Sequence, residues 1–168
     1  LAALLDGRSL PPAGSPAARA LREQPAAESG ELDASLAWWQ ARLPGAPAWS
    51  GLPVDRAPLD GPREGARRSF RIPPEELSAL RERGRAQGAT PFQALLAAFS
   101  EALRACGAGP ELVIGTPVAD RSPAVDPCVG FFANTVPIRL SERPASEAQA
   151  FRLARTAALD AIAHADAP

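Results

Sequence analysis

Lysine is absent from this 168-residue sequence, and all 18 basic side chains are arginines. They are offset by 19 acidic side chains, which leaves a net charge of −1. Nucleic acids and anionic membranes bind surfaces with an excess of basic groups, so the sequence predicts neither partner. Together with frequent Ala and 19 Pro, the absence of Lys is typical of a GC-rich coding bias rather than of a phosphate site.

The sequence also lacks a long hydrophobic run and has only two cysteines. No apolar segment approaches the roughly 20 residues that span a bilayer, and the first residues do not have the basic start of a signal peptide. Cys106 and Cys128 are not in C-x-x-C spacing, which argues against a disulfide framework or a zinc site. We therefore expect two free, buried thiols in a cytoplasmic protein without a bound metal.

Groups that could catalyse a reaction are few. The only histidine, His164, lies near the end of a predicted helix with Asp166 close by, and we interpret it as a helix cap in preference to a general base. Ser100 and Ser122 have no other basic partner, so a hydrolase triad has no support except through His164. No glycine-rich loop follows a strand in a nucleotide-binding arrangement. We expect the three tryptophans to be core or loop anchors.

Helix signals are strong at four places. Asp33 is expected to N-cap a helix that Pro44-Gly45 ends. A second helix is predicted to begin at Pro73-Pro74, with acidic residues first and solvated arginines last. Capping boxes at residues 90–93 and 146–149 begin the other two helices. The apolar stripes of the first, third and fourth helices are, respectively, Leu36, Trp39, Leu43; Phe92, Leu95, Leu96, Phe99, Leu103; and Phe151, Ala154, Ala158, Ile162.

Three segments are predicted to be strands. Residues 67–72 alternate as a half-exposed strand does, residues 111–118 read as a buried strand, and residues 129–140 form another that Asn134-Thr135 could interrupt. With the helices, these strands predict the α/β class, as a two-layer sandwich of helices on a mixed β-sheet. Loops at strand ends commonly form sites, so residues 115–122 and 129–140 are the candidate segments.

Read together, these pieces resemble the condensation domain of nonribosomal peptide synthetases. "LAWWQARLPGAP" and "LPVDRAP" are similar to two early family segments. "GATPFQALLAAF" and "VIGTPVADR" resemble its helix and the strand and loop that follow. "CVGFFANTVPIRL" resembles the V-G-x-F-V-N-T-x-x-x-R signature, with Ala133 in place of the usual Val, and "AHADAP" resembles the opening of H-Q-D-x-P-F-E. The match covers about residues 32–168 in the family order.

The sequence departs from the family pattern at both ends. The catalytic H-H-x-x-x-D-G motif is absent, because Leu1 and Ala2 stand where its histidines would precede Asp6-Gly7. Residues 1–13 fit better just downstream of that motif, and Pro168 falls inside the last one. We therefore expect residues 1–31 to be the end of a first lobe and a linker. Residues 32–168 are expected to be an incomplete second lobe of a two-lobed, chloramphenicol-acetyltransferase-like fold.

The resemblance implies amide formation between a donor acyl or peptidyl thioester and an acceptor aminoacyl thioester. Both would be carried on phosphopantetheine arms, so no cofactor is expected to bind this chain directly. The implied partners are upstream and downstream carrier (thiolation) domains, an adenylation domain and the first lobe of the same domain. No catalytic residue is expected in this chain, because the catalytic histidine would lie outside it. The expected substrate-tunnel residues are Thr116, Gly130, Phe132, Asn134 and Thr135, and the inter-lobe or structural residues are Arg121 and Arg139.

The Asn134-Thr135 pair also bears on subtype. Epimerization domains tend to carry W-F-T-x-x-x-P and heterocyclization domains G-D-F-T-S, so the pair favours ordinary amide condensation. Two alternatives stay open: an ester-forming acyltransferase of the same superfamily, and a noncatalytic condensation-like module that recruits partner enzymes.

Overall fold

The structure, a computed structural model, describes residues 28–54, 65–119 and 132–167. Within these ranges lie four helices, α1 (Asp33–Arg42), α2 (Pro74–Ala86), α3 (Pro91–Ala105) and α4 (Glu147–Ala163), and two strands, β1 (Leu112–Ala119) and β2 (Ala133–Leu140). The predictions for Arg121, Cys128, Gly130 and residues 1–27 fall outside the described residues. None of the described helices is both long and apolar enough to cross a membrane.

Contacts along the chain group it into two compact units. The first unit comprises residues 1–44, 115–136 and 162–168, and the second comprises residues 45–114 and 137–161. Each unit is therefore built from segments that are far apart in the sequence. The boundary predicted between residues 31 and 32 stays a prediction.

Strands β1 and β2 pair in an antiparallel, two-stranded sheet, and the predicted α/β class is confirmed. Strand β2 buries Val136, Ile138 and Leu140 on one face, as the two-residue period of a strand requires. It continues through Asn134 and Thr135 without a break, so the interruption suggested by the sequence is not there. Strand β1 was expected to be buried, but only Leu112 is, and alternate residues from Val113 onward are exposed.

The predicted capping box formed in full at α3, and the bond to the Ser146 hydroxyl formed at α4. At α3, the Thr90 side chain accepts from Gln93 N and the Gln93 side chain accepts from Thr90 N, which completes the predicted capping box. At α4, Ser146 Oγ accepts from Gln149 N, and the Gln149 side chain accepts from Ala145 N. Gly107 has a φ of 97° just after α3, a backbone conformation that favours glycine at a helix end.

Helices α2 and α3 of the second unit approach each other closely at Gly84. A Cβ built on Gly84 would lie only 2.8 Å from the Cβ of Ala94. Gly84 is buried in the last turn of α2, where glycine costs up to about 1 kcal/mol relative to alanine in helix propensity. The glycine therefore has a packing role, because no larger residue fits between the two helices as they stand.

Helix α3 buries polar side chains and leaves large apolar ones exposed. Gln93, Ser100 and Arg104 are buried, whereas Phe92, Leu95 and Phe99 are 42%, 37% and 51% exposed. Each of the three buried side chains makes a hydrogen bond, which offsets the cost of removing it from water. In the predicted apolar stripe of this helix, Leu96 is buried as a core position should be, whereas Phe92, Leu95 and Phe99 are not.

Four further expectations were wrong. Residues 67–72 do not form a strand, because no described strand pairs with them, and Phe70 is 86% exposed. Asp33 is the first helical residue of α1 and not its cap, since Leu32 occupies that position. Cys106 is free as expected but exposed, because it lies at the C-cap of α3. In the apolar stripes of α1 and α4, Leu36 and Ile162 are 38% and 45% exposed instead of facing a core.

Candidate functional site

The predicted tunnel residues that the structure describes lie on two different faces of the sheet. Gly115 of β1 and Thr135 of β2 share the open face, since a Cβ on Gly115 would lie 3.5 Å from Thr135 Cγ2. Successive side chains of a strand alternate between faces, so half-buried Thr116 and Asn134 lie on the opposite face. Phe132, just before β2, is buried.

The side-chain amide of Asn134 joins β2 to the end of the chain. Its Nδ2 donates to the backbone oxygens of Ala165 at 2.9 Å and Ala167 at 2.8 Å. Its Oδ1 accepts a hydrogen bond from the backbone nitrogen of Thr135 at 2.8 Å. Both donors and the acceptor of this amide are therefore engaged with backbone groups of the first unit.

Helix α1 contacts the same terminal segment, His164 to Ala167, through other side chains. The buried Ser35 hydroxyl donates to Asp166 Oδ1 at 2.6 Å, and the Trp39 indole nitrogen donates to the backbone oxygen of His164 at 2.8 Å. The imidazole of His164 stacks on Trp38 with ring centroids 4.2 Å apart and an interplanar angle of 6°. We call residues 164–167 the terminal turn, and this turn with Ser35, Trp38, Trp39 and Asn134 the anchor cluster.

The anchor cluster combines three of the sequence segments that carry the family resemblance. These are the Trp38-Trp39 pair, the Asn134-Thr135 pair and the terminal turn. Of the residues in the anchor cluster, the sequence predicted only Asn134 as a site residue, and His164 was interpreted as a helix cap. Sequence reasoning missed Ser35 and both tryptophans as members of one cluster. For the two tryptophans, membership of a family segment was the signal available in the sequence. Ser35 lies just before that segment, and its contact with Asp166 spans 131 residues along the chain.

Arg139, the other described candidate, belongs to the second unit. Its Nε donates to Glu111 Oε1 in an ion pair, and the two side chains are 16% and 26% exposed. This pair joins the residue before β1 to the end of β2, which is a role within the sheet. An inter-lobe role for Arg139 stays a prediction.

Arg104 has a more extensive set of contacts, and sequence reasoning missed it. It is 5% exposed and donates to the backbone oxygens of Pro110 at 3.0 Å and Glu142 at 3.1 Å, as well as to Glu101 Oε1 at 2.6 Å. The guanidinium thus fixes the segments that enter β1 and leave β2. A cavity of about 70 Å³ beside it is lined by Ser100, Arg139 and Leu153, among others.

Comparison with known proteins assigns the fold first. A condensation domain from the monacolin K polyketide synthase MokA superposes with a TM-score of 0.74 at 26% identity, and the match covers 99% of this chain and 41% of that one. The predicted chloramphenicol-acetyltransferase-like fold is thereby confirmed.

The family follows from the sequence comparison. The condensation domain family matches residues 2–168, and the chain belongs to that family. Phosphinothricin tripeptide synthetase PhsC of Streptomyces viridochromogenes is 40% identical over 142 residues, and malpibaldin synthetase of Mortierella alpina is 35% identical over 143 residues. Each match covers 83% of this chain, but the two matches cover only 13% and 3% of the respective relatives.

Proposed function

We propose that this chain is part of a nonribosomal peptide synthetase condensation domain that forms amide bonds between two carrier-bound substrates. The observation that carries the proposal is the family match over residues 2–168, together with the meeting of three family segments in the anchor cluster. The acceptor amine nitrogen attacks the donor thioester carbonyl, the new C–N bond forms and the C–S bond breaks. The amine nitrogen loses one proton to a base outside this chain, and that proton passes to the departing sulfur, so the donor arm leaves as a thiol.

We propose further that the stretch from Gly130 to Thr135, with Thr116, belongs to the wall of the substrate tunnel. Thr135 supports this best, because its side chain is exposed on the open face of the sheet beside Gly115. The absence of a side chain at Gly115 leaves room there for an extended phosphopantetheine arm. A wall of this kind would exclude water and align the two arms, which is the main physical task in joining two bound substrates.

The partners follow from the same proposal. The two arms would belong to an upstream and a downstream carrier domain, with an adenylation domain adjacent and a first lobe supplying the catalytic histidine. Residues 1–31 would connect that lobe to residues 32–168, and Arg121 or Arg139 would pair with a carboxylate across the lobes. Such a synthetase would work in the cytoplasm.

The experiment is an assay of the synthetase that carries this chain, with one carrier loaded with a donor and the other with an acceptor. Intact mass spectrometry of the downstream carrier should show the donor added to the acceptor. This chain alone, given the same two carriers, should give no product above background, because it lacks the catalytic histidine. Product formed by the chain alone would show that the catalytic group lies within these residues, which contradicts the proposal. If the complete synthetase does not join the donor to the acceptor, the alternative of a noncatalytic module that recruits partner enzymes is favoured.

A further inference from the structure

Both N–H donors of the Asn134 amide are occupied by backbone groups, and its oxygen accepts a hydrogen bond from another. Its two donors bind the carbonyl oxygens of Ala165 and Ala167, and its acceptor binds the N–H of Thr135. A primary amide has two N–H donors and one oxygen. A substrate could therefore bind the Asn134 nitrogen only by displacing one of these carbonyl groups. That exchange would leave a carbonyl of the half-buried terminal turn without a partner, at the cost of its desolvation.

Thr135 is placed differently although it is the adjacent residue. Its side chain lies on the opposite, open face of β2, next to Gly115. The hydrogen bond from Thr135 N to Asn134 Oδ1 links the two faces at this point. Through that bond, the position of the terminal turn bears directly on the backbone of the residue that faces the open side.

We propose that Asn134 is a positioning residue, which couples the terminal turn to Thr135 and does not itself contact the substrate. This inference rests on the proposed function, since it takes Thr135 to face the tunnel. Ser35 serves the same end from α1, because its hydroxyl holds Asp166 in the middle of the turn. The terminal turn is then a support for the tunnel wall, fixed on one side by α1 and on the other by β2.

The coupling can be measured independently of activity through tryptophan fluorescence. The sequence has three tryptophans, and two of them, Trp38 and Trp39, contact the terminal turn. Trp49 is 63% exposed and belongs to the second unit, so a Trp49→Phe background leaves Trp38 and Trp39 as the tryptophans of this chain. Emission is recorded as the difference between each variant and the parent protein, so that tryptophans elsewhere in a longer protein cancel. In this background, Asn134→Ala should shift the emission maximum of the folded protein to longer wavelength. It should also lower kcat for amide formation about tenfold to a hundredfold, the loss expected from a misplaced contact.

Conservative replacements separate coupling from loss of folding. Asn134→Asp keeps the acceptor for Thr135 N–H, but as a carboxylate it cannot donate to the two carbonyl oxygens. Lowering the pH protonates the introduced carboxyl and restores one donor, so emission should return toward that of the parent protein. Because His164 and Asp166 are ionisable side chains of the same cluster, Asn134→Ala is measured at each pH as the reference and should show no such return. Ser35→Thr should retain activity that Ser35→Ala loses.

A matched control comes from the second unit. Arg104→Met lowers stability without touching the anchor cluster, so below its melting transition it should leave emission and kcat unchanged. Thr135→Val should lower kcat with unchanged emission, since it removes a hydroxyl on the open face only. If Asn134→Ala lowers kcat while emission stays the same, Asn134 meets the substrate itself and the positioning role is wrong. If the parent synthetase forms no amide, the proposed function fails, whereas emission and its pH dependence still decide whether Asn134 holds the turn.

Discussion

Replacing Gly84 by alanine should destabilise the protein, although alanine is the better helix former. Gly84 lies in the last turn of α2, where alanine would gain up to about 1 kcal/mol of helix propensity. The added methyl group would lie 2.8 Å from the Cβ of Ala94 on α3, whereas carbon atoms pack at about 3.5 to 4.0 Å. The two helices would have to separate by up to about 1 Å, and overpacking of this kind costs about 1 to 3 kcal/mol. The net expectation is a loss of about 1 kcal/mol in the free energy of unfolding.

The sign of the effect should reverse when the opposing methyl group is removed. In an Ala94→Gly background, the next atoms near the new Cβ are at 3.8 Å, which is ordinary contact. Gly84→Ala should then stabilise the protein by up to about 1 kcal/mol through propensity alone. The four variants form a double-mutant cycle, measured by urea denaturation followed by circular dichroism. If Gly84→Ala stabilises the protein equally in both backgrounds, the helices are not in close contact at this point and the packing argument fails.

Three other predictions follow from described contacts. Thr90→Ala removes the α3 capping box and should lower the free energy of unfolding by about 1 kcal/mol, whereas Thr90→Ser should lose much less; equal losses in urea denaturation would show that the hydroxyl is not the cap. Arg104→Met leaves the oxygens of Pro110 and Glu142 without their donor and should lower the free energy of unfolding by about 2 to 4 kcal/mol. Arg85→Met, at an exposed position, should change it by about 0.5 kcal/mol or less. Similar losses in the two variants would refute the role of Arg104. In a Cys128→Ser variant, exposed Cys106 should react with a maleimide under native conditions at a rate close to that in urea, and strong protection measured by mass spectrometry would contradict its exposure.

Features that depend on neighbouring residues could be predicted from the sequence. The capping box at Thr90 joins groups three residues apart and formed in full, and at Ser146 the hydroxyl bond to Gln149 N formed while the Gln149 side chain bonds Ala145 N instead. The strand prediction for residues 67–72 was wrong because a strand depends on distant residues. The segment alternates as a strand does, but a strand also needs a partner, and the described residues provide none.

The candidate site was predictable only in part. Asn134 and Thr135 were identified because a polar pair inside an apolar strand is unusual, and the resemblance to a known family made them specific. Their placement on opposite faces follows from strand alternation and could have been inferred. The partners of Asn134 could not, because they lie 31 and 33 residues further along the chain. The link between Ser35 and Asp166 spans 131 residues and carries no local signal.

That long span has a consequence for how the protein reaches its folded state. The first unit includes residues 162–168, so its anchor cluster can form only after that segment has been synthesised. Closing a loop of 131 residues is entropically costly, and contacts of such high sequence separation tend to form late on the folding pathway. Substitutions at Ser35 or Asn134 should then act chiefly on the unfolding rate and leave the refolding rate nearly unchanged. The cluster would therefore set how long the folded protein lasts more than how quickly it forms.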